Sequence, residues 1–298
     1  MSASSDPRQS VGERVFVVGA GIMGSGIAAQ AALAGYFVTL EDVSGELAER
    51  GRANALRALD HQVRKGLLDS VSREEAAGRI DVAIGLRRAS IATIVVEAAP
   101  ENLEIKQQLF REIEDSAAAD AVLATNTSSL PITSIAQVLK DPTRLVGIHF
   151  FNPVLQMDLV ELIPGIRTRS EFVERAERFA KKLGKTVVHS KDSPGFVTTR
   201  ALAVLINEAA WMLQEGVATR EDIDAAYRLG FRHPMGPFEL ADLVGIDTAV
   251  AILDVLWDGF RDPKYRVCPL LRQMVAAGRL GRKSGEGFYP YPARGSGP

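Results

Sequence analysis

The stretch Val15-Phe16-Val17-Val18-Gly19-Ala20-Gly21-Ile22-Met23-Gly24 decides the fold of the first part of this chain. An apolar, β-branched run predicts a buried strand, and glycines in the pattern Gly-x-Gly-x-x-Gly follow it directly. Gly19 permits a tight turn, Gly21 lets backbone N–H groups approach a pyrophosphate, and Gly24 lets the next helix pack against the strand. The stretch therefore predicts a strand, a glycine turn and a helix whose N-terminus faces phosphate groups.

Short apolar runs continue to alternate with helical patterns beyond this turn. Amphipathic helices are predicted at 101–118 and 171–183, because their apolar residues recur on one face. Strands and intervening helices in this order indicate an α/β fold with a parallel sheet. The predicted strands after the first are 37–41, 80–84, 94–98, 122–125, 145–150, 159–163 and 186–189.

The pattern changes at Ser193-Pro194-Gly195, after which only helical patterns follow. We therefore expect a polar, flexible tail over residues 1–13, an α/β domain over 14–192 and an all-helical domain over 193–298. The helices predicted in the last of these are 197–214, 220–229, 240–244, 247–260 and 269–277.

Composition restricts the class of protein. The 298 residues are 46% hydrophobic and 24% charged, which is typical of a folded globular protein. The net charge of −2 gives no basic surface for nucleic acid, so we expect no nucleic-acid partner. No run of about 18 apolar residues predicts a membrane span. The single cysteine, Cys268, and the polar N-terminus indicate a cytoplasmic protein, and no cluster of ligands predicts a metal.

Asp42 follows the second predicted strand, 18 residues beyond Gly24. A carboxylate at that point can accept hydrogen bonds from the adenosine ribose of a dinucleotide. Its negative charge would also repel the additional phosphate of NADP, so we predict NAD as the cofactor. A glycine-rich turn alone also has a purely structural interpretation, and Asp42 is what favours the dinucleotide.

Four histidines are present, and His149 has the position of a catalytic base. It ends an apolar strand at the carboxyl edge of the predicted sheet, where ligands bind in open α/β folds. A dehydrogenase acting on an alcohol needs a base for the hydroxyl proton, and Glu161 could receive the other ring N–H. The alternative is a structural histidine bonded at a strand end. We expect packing or solvent roles for the other three, His61, His189 and His233.

Several motifs together resemble the L-3-hydroxyacyl-CoA dehydrogenase family. The resemblance implies a Rossmann-type, doubly wound, mainly parallel domain that binds NAD, followed by a helical domain that supplies most contacts of a homodimer. It also implies an acyl-CoA substrate in the cleft between the domains. The motifs occur in family order: Gly19-Ala20-Gly21-Ile22-Met23-Gly24, Asn126-Thr127-Ser128-Ser129-Leu130, His149-Phe150-Phe151-Asn152-Pro153, Ser193-Pro194-Gly195-Phe196, Pro234-Met235-Gly236-Pro237-Phe238-Glu239-Leu240 and Gly285-Glu286-Gly287-Phe288-Tyr289.

The resemblance assigns roles to four residues near the reacting centre. His149 matches the general base of the family, and Glu161 matches the carboxylate that orients it. Ser128 matches a hydroxyl that bonds the 3-oxygen of the substrate and lies near both ligands. Asn152 matches a carboxamide close to the nicotinamide.

Other matched positions concern binding. Glu101 and Lys106 match NAD contacts, although they could instead be an ordinary helix start with exposed charges. Lys283 matches a lysine on the cofactor side, and Lys65 matches a lysine that meets CoA phosphates. Ile22 and Met23 belong to the cofactor-binding glycine turn.

The chain departs from the family pattern at three positions. Thr199 stands where asparagine is common, Ala58 replaces a serine that contacts CoA, and Asp158 replaces a frequent lysine. Threonine lacks the reach and the second donor of a carboxamide. We expect Thr199 on the substrate side, where it would retune chain length or rate.

These observations predict reversible oxidation of an L-3-hydroxyacyl-CoA to the 3-oxoacyl-CoA, as in fatty acid β-oxidation. Because no fused hydratase or thiolase portion is seen, we expect a short-chain substrate such as 3-hydroxybutyryl-CoA. One rival is a dehydrogenase of a free hydroxy acid or carnitine on the same fold. Another is a non-catalytic, NAD-binding structural protein, because a fold does not determine a function.

Overall fold

The computed structural model describes residues 13–292. The tail predicted for residues 1–13 lies outside the described residues except for Glu13. The chain divides between Ser193 and Pro194 into two compact units. Each unit has its own apolar core.

The first unit is built on an eight-stranded sheet in the order β3-β2-β1-β4-β5-β6-β7-β8. Neighbouring strands run parallel, apart from the antiparallel pair β6 and β7. The predicted Rossmann-type, mainly parallel α/β sheet is therefore confirmed. The strands are β1 Arg14–Val18, β2 Phe37–Glu41, β3 Ile80–Ala83, β4 Ile94–Glu97, β5 Val122–Thr125, β6 Leu145–Phe150, β7 Leu159–Pro164 and β8 Thr186–His189.

The antiparallel pair follows from the length of its connection. Residues 151–158 join β6 to β7, which is too short for the crossover that a parallel neighbour needs. The chain must therefore reverse its direction. In the resulting register His149 lies directly opposite Glu161.

Helices cover both faces of the sheet, and their starts carry ordinary capping signals. The side chain of Ser44 accepts a hydrogen bond from Leu47 N, and that of Asn102 accepts one from Ile105 N. The helices predicted at 101–118 and 171–183 are observed as α4 and α6. The helices of this unit are α1 Ile22–Leu33, α2 Gly45–Arg64, α3 Ser70–Gly78, α4 Leu103–Ser116, α5 Ile132–Ala136 and α6 Ser170–Lys182.

The sheet is buried on both faces, which is why its strands read as nearly continuous apolar runs. Val17 of β1, Ile27 of α1 and Phe179 of α6 belong to one core cluster, each at most 1% exposed. Burying a side chain of this size contributes about 1.5–3 kcal/mol. The packing holds the carboxyl ends of the strands in fixed positions.

The glycine turn is packed so closely that two of its residues must lack a side chain. Gly19 has a φ of 94°, and a Cβ there would lie 2.8 Å from the carbonyl oxygen of Ala98. A Cβ on Gly24 would lie 1.7 Å from the carbonyl oxygen of Gly19. Close packing of helix α1 against the turn therefore requires glycine at both positions.

The second unit is helical throughout its regular structure, as the sequence predicts for the C-terminal part. Phe238, Leu253 and Leu271 are fully buried in its core. None of the helices in residues 13–292 is both long enough and apolar enough to cross a membrane. The helices of the second unit are α7 Thr198–Gln214, α8 Arg220–Gly230, α9 Pro237–Val244, α10 Ile246–Phe260 and α11 Pro269–Ala276.

Two buried aspartates organise this second unit. Asp224 accepts hydrogen bonds from the backbone N–H groups of Phe238 and Glu239 at the start of α9. Asp242 accepts them from Phe288 N and Tyr289 N, which attaches the segment after α11. Burial raises the pKa of Asp224 despite these bonds. The two carboxylates give a structural reason for the motifs at 234–240 and 285–289.

A substitution tests the packing of the glycine turn. We expect Gly24→Ala to lower the free energy of unfolding by about 3 kcal/mol, because the new methyl group overlaps the Gly19 carbonyl. Gly78→Ala is the matched control, since no atom lies within 4 Å of a Cβ at that position. Thermal denaturation of both variants makes the comparison. Equal melting temperatures for Gly24→Ala and the wild type would contradict the packing described.

Candidate active site

The glycine turn lies at the carboxyl edge of the sheet, where the strand order reverses. β1 has β2 on one side and β4 on the other, and a crevice for a ligand forms at such a point. Gly21 precedes α1, and a Cβ on it would meet no atom within 4 Å. Ser25 Oγ donates to the carbonyl oxygens of Ala20 and Gly21, which fixes the turn. Open space above a helix N-terminus fits a pyrophosphate.

Asp42 lies beside this turn, at the end of β2. Its Oδ2 accepts the Ala20 N–H at 2.8 Å, and its Oδ1 accepts the Val43 N–H at 2.8 Å. A carboxylate has further lone pairs, so these bonds leave capacity for a ribose hydroxyl. Ile22 is 73% exposed at the start of α1. The geometry of the turn and of Asp42 together fits the phosphates and the adenosine ribose of NAD.

His149 and Glu161 form a hydrogen-bonded pair across β6 and β7. The distance from Nδ1 to Oε2 is 2.8 Å, and the two residues are 6% and 0% exposed. The Phe151 ring packs on the imidazole, with centroids 4.4 Å apart. A carboxylate at this distance favours the neutral tautomer with the proton on Nδ1, which makes Nε2 the basic nitrogen.

Asn126 fixes the backbone beside this pair. Its Oδ1 accepts the N–H of Phe150 at 2.9 Å and thereby links the end of β5 to the end of β6. Phe150 directly follows His149. Asn126 belongs to the motif at 126–130, but it is not among the site residues predicted from the sequence. The signal that could have identified it is a carboxamide directly after a buried strand.

Glu101 gathers the loop that carries Ser128. Its Oε1 accepts hydrogen bonds from the Thr127 hydroxyl at 2.7 Å, from Ser128 N at 2.9 Å and from Ser128 Oγ at 3.1 Å. Ser129 contributes its N–H and its hydroxyl to the same oxygen. Burial alone would raise the pKa of Glu101, but the Lys106 charge and these hydrogen bonds outweigh it and lower the pKa. Glu101 is therefore a carboxylate at neutral pH.

Lys106 corrects one expectation from the sequence. The helical pattern placed it off the apolar face, among exposed charges, but it is 1% exposed. Its Nζ lies 2.6 Å from Oε1 of the fully buried Glu97 and donates to the Ala99 carbonyl at 3.1 Å. Lys106 can be buried because it forms an ion pair with Glu97, and a buried cation requires such a partner. Its contact with NAD remains a prediction.

Asn152 lies against the start of α1 and against α2. It lines a cavity of about 290 Å³ together with Ile22, Ser25, Ala58 and His61. The sequence predicts a packing role or a solvent-exposed position for His61, so its place at the border of this cavity was not expected. A lone histidine on a charged helix gives no signal of such a position.

The loop after Asn152 is held by a buried lysine. Lys185 Nζ donates to the Val154 carbonyl at 2.6 Å and to the Met157 carbonyl at 3.0 Å. Burial lowers the pKa of Lys185, and the negative charge of Asp158 opposes this shift. A lysine at position 158 would instead add to this shift, because its charge would repel the buried ammonium group.

The remaining predicted binding residues are not among the partners described above. Lys65 is exposed at the end of α2. In the second unit, Thr199 is buried in the first turn of α7, and Lys283 forms an ion pair with Asp247 at 2.6 Å. Their ligand contacts stay predictions. Within residues 13–292 no cluster of three His, Cys, Asp or Glu side chains is arranged for a metal.

Family models match almost the whole described chain. Residues 14–193 match the model described as 3-hydroxyacyl-CoA dehydrogenase, NAD binding domain. Residues 195–291 match the model described as 3-hydroxyacyl-CoA dehydrogenase, C-terminal domain.

Individual proteins are similar over their full length. The probable 3-hydroxybutyryl-CoA dehydrogenase of Bacillus subtilis (strain 168) is 45% identical, with 95% of this chain and 99% of that protein covered. The 3-hydroxybutyryl-CoA dehydrogenase of Bradyrhizobium diazoefficiens is 46% identical over 94% of this chain and 95% of its own length. The crystal structure of (S)-3-hydroxybutyryl-CoA dehydrogenase PaaH1 from Ralstonia eutropha is 42% identical, with a TM-score of 0.91, and the match covers 95% of this chain and all of that one.

The open space at Gly21 gives a test of the dinucleotide site. We expect Gly21→Ala to weaken NADH binding about tenfold or more, because its methyl group fills the space left for the pyrophosphate. The stability of the unliganded chain should fall by no more than about 1 kcal/mol, the cost of alanine at a helix N-cap. Fluorescence titration with NADH measures the affinity, with Gly78→Ala as the control. An unchanged dissociation constant would place the phosphates elsewhere.

The lowered pKa of Glu101 predicts a dependence of stability on pH. The ionised carboxylate stabilises the fold fully above its unfolded pKa of about 4.3, and this contribution is lost as the pH falls through the lower folded pKa. The stability difference between wild type and Glu101→Gln should therefore be constant above about pH 5 and shrink below it. Denaturant unfolding from pH 3 to pH 7 measures this difference, with Glu104→Gln at an exposed position of the following helix as the control. A difference that grows as the pH falls would refute the assignment.

Proposed function

The chain belongs to the 3-hydroxyacyl-CoA dehydrogenase family and is an NAD-dependent dehydrogenase, and on this premise we propose that it interconverts L-3-hydroxybutyryl-CoA and acetoacetyl-CoA with His149 as the general base. The short-chain substrate is supported by the names of the similar proteins, which match over nearly all of their length. The observation that carries the chemistry is the hydrogen bond from His149 to Glu161.

Proton transfer is the part of the reaction that this pair performs. In the oxidation, neutral His149 accepts the proton of the 3-hydroxyl group on Nε2 while C3 loses a hydride. NAD, when bound, supplies the hydride acceptor. In the reduction the imidazolium returns the proton to the oxygen of the 3-oxo group. An imidazole suits both directions because its two protonation states are both accessible near neutral pH.

Glu161 stabilises the charged form of His149 in a buried site. Proton uptake creates an imidazolium ion, which burial alone would disfavour. The carboxylate of Glu161, 2.8 Å from Nδ1, compensates that charge without any rearrangement. Because β6 and β7 hold both residues in register, the ring orientation is set before the substrate binds.

Ser128 and Asn152 complete the proposed site. The N–H groups of Ser128 and Ser129 bond to Glu101 and fix the loop, so the Ser128 hydroxyl can turn and donate its hydrogen to the 3-oxygen of the substrate, while the single hydrogen of the 3-hydroxyl goes to His149. Asn152 borders the cavity next to the start of α1, which suits a carboxamide close to the cofactor. The two residues would align hydroxyl and cofactor, and alignment is a main source of rate in hydride transfer.

In this proposal the two units have different binding roles. Residues 14–192 would bind NAD through Gly19, Gly21, Gly24 and Asp42. Residues 193–298 would contribute to the substrate cleft and to contacts of a homodimer. Lys283 on the cofactor side, Lys65 at the CoA phosphates and Thr199 on the substrate side remain part of this proposal.

Kinetics of two variants test the acid–base assignment. We expect His149→Gln to lower kcat by about 10³-fold and Glu161→Gln by about 10²-fold, because general acid–base catalysis contributes about 10² to 10⁴. NADH affinity should stay within about twofold, since neither residue forms the glycine turn. His189→Gln, which changes an exposed histidine, is the matched control. Near-normal turnover by His149→Gln would rule out His149 as the base.

A substrate comparison tests the thioester assignment. NADH oxidation should be at least about 100-fold faster in kcat/KM with acetoacetyl-CoA than with free acetoacetate or 3-dehydrocarnitine, because binding energy from the CoA portion aligns the reacting carbon. A preference for a free acid would favour the rival dehydrogenase. NADH binding without turnover of any 3-oxoacyl-CoA would favour a non-catalytic protein.

A further inference from the structure

Glu97 is a buried carboxylate that the reaction described above does not use. It ends β4, in register with Val18 of β1 and with Thr125 of β5, and it is 0% exposed. This position is the central point of the carboxyl edge, where the strand order reverses. An ionisable side chain in such a position requires partners, because burying an uncompensated charge is costly.

Three donors from three chain segments surround this carboxylate. Oε1 accepts the Ala99 N–H and one N–H of Lys106, each at 2.6 Å. Oε2 accepts the Thr125 hydroxyl at 2.7 Å. The Ala99 bond also holds the peptide that packs against Gly19 of the glycine turn. Glu97 therefore links α4, β5 and the turn after β4.

Lys106 lies between two carboxylates at unequal distances. Its Nζ is 2.6 Å from Oε1 of Glu97 and 3.7 Å from Oε2 of Glu101. The nearer carboxylate takes the direct hydrogen bond, so Glu101 experiences the positive charge without being bonded to it. Glu101 keeps its other oxygen for the loop at 127–129.

Ser128 lies at the far end of this chain of contacts. Its N–H and its hydroxyl both bond to Oε1 of Glu101, at 2.9 Å and 3.1 Å. The position of Ser128 therefore depends on the position of Glu101, which depends in turn on the attachment of Lys106 to Glu97.

We propose that Glu97 is a positioning residue that retains Lys106, so that Glu101 remains with the serine loop and holds Ser128 in place for the 3-oxygen of the substrate. This inference rests on the proposed function, in which Ser128 bonds the 3-oxygen. Without the negative charge at position 97, Glu101 is the nearest carboxylate to a buried ammonium group. Attraction then draws Glu101 towards Lys106 and away from Ser128.

The experiment is a double-mutant cycle of Glu97→Gln with Ser128→Ala. Glutamine keeps the size of the side chain and removes its charge. Steady-state kinetics with acetoacetyl-CoA and NADH give kcat and KM per NADH-binding site, so that inactive protein does not contribute. Glu104→Gln is the matched control, because it makes the same chemical change at an exposed position of α4, the helix that carries Lys106.

We expect Glu97→Gln to lower kcat about tenfold in the wild-type background, with the KM for acetoacetyl-CoA changed less than about threefold, because a misplaced hydroxyl affects alignment more than binding. In the Ser128→Ala background the same substitution should have almost no effect on kcat. Equal reductions in both backgrounds would overturn the proposal, as would normal kcat in Glu97→Gln. A merely structural role would lower the fraction of NADH-binding sites and leave kcat per site unchanged.

Two further measurements keep the test decisive. If Glu97→Gln does not fold, the pair Glu97→Gln/Lys106→Met removes both charges and leaves none uncompensated. With no ammonium group to attract Glu101, the serine loop keeps its partner, so Ser128→Ala should lower kcat in this background by the same factor as in the wild type. A much smaller loss would overturn the proposal. Carbon-13 NMR titration of the Glu101 carboxyl needs no activity. The pKa of Glu101 should fall further in Glu97→Gln, and an unchanged value would refute the inference even if the proposed function fails in its own substrate assay.

Discussion

The hydrogen bond between His149 and Glu161 is the interaction on which the proposed chemistry of this protein depends. It exists because β6 and β7 are antiparallel and place the two residues opposite each other. The short connection between those strands dictates the reversal, and the same connection carries Asn152. Strand direction, register and the identity of one cross-strand pair thus determine which imidazole nitrogen is basic.

Two buried carboxylates at the same edge of the sheet serve different purposes. In the proposed reaction Glu161 faces an imidazole whose charge changes, and its position stabilises the charged state when it forms. Glu97 faces Lys106 and holds the ammonium group of that lysine by a direct hydrogen bond. Both cost desolvation free energy, which hydrogen bonds of 2.6–2.8 Å offset. The edge is therefore preorganised by charge as well as by packing.

The sequence predicted much of the fold and part of the site. Strands such as β5 and β8 were predicted to the residue, because short β-branched runs bounded by polar residues are strong local signals. The burial of Lys106 was not predicted, because helical periodicity treats every lysine as an exposed polar residue. Its partner Glu97 lies outside that helix, so no helical pattern connects the two residues. The place of His61 on a cavity was missed for a similar reason: its neighbours there come from a loop far along the chain. Such contacts depend on tertiary packing, which local sequence does not contain.

Nitrogen-15 NMR of the four histidine side chains, at a pH where imidazoles are neutral, identifies directly which ring nitrogen of His149 carries the proton. His149 is assigned by the signal that disappears in His149→Gln. The account predicts a neutral ring protonated at Nδ1 in the wild type and loss of that tautomer preference in Glu161→Gln. A ring protonated at Nε2 in the wild type would leave no basic nitrogen there for the substrate proton and would contradict the account.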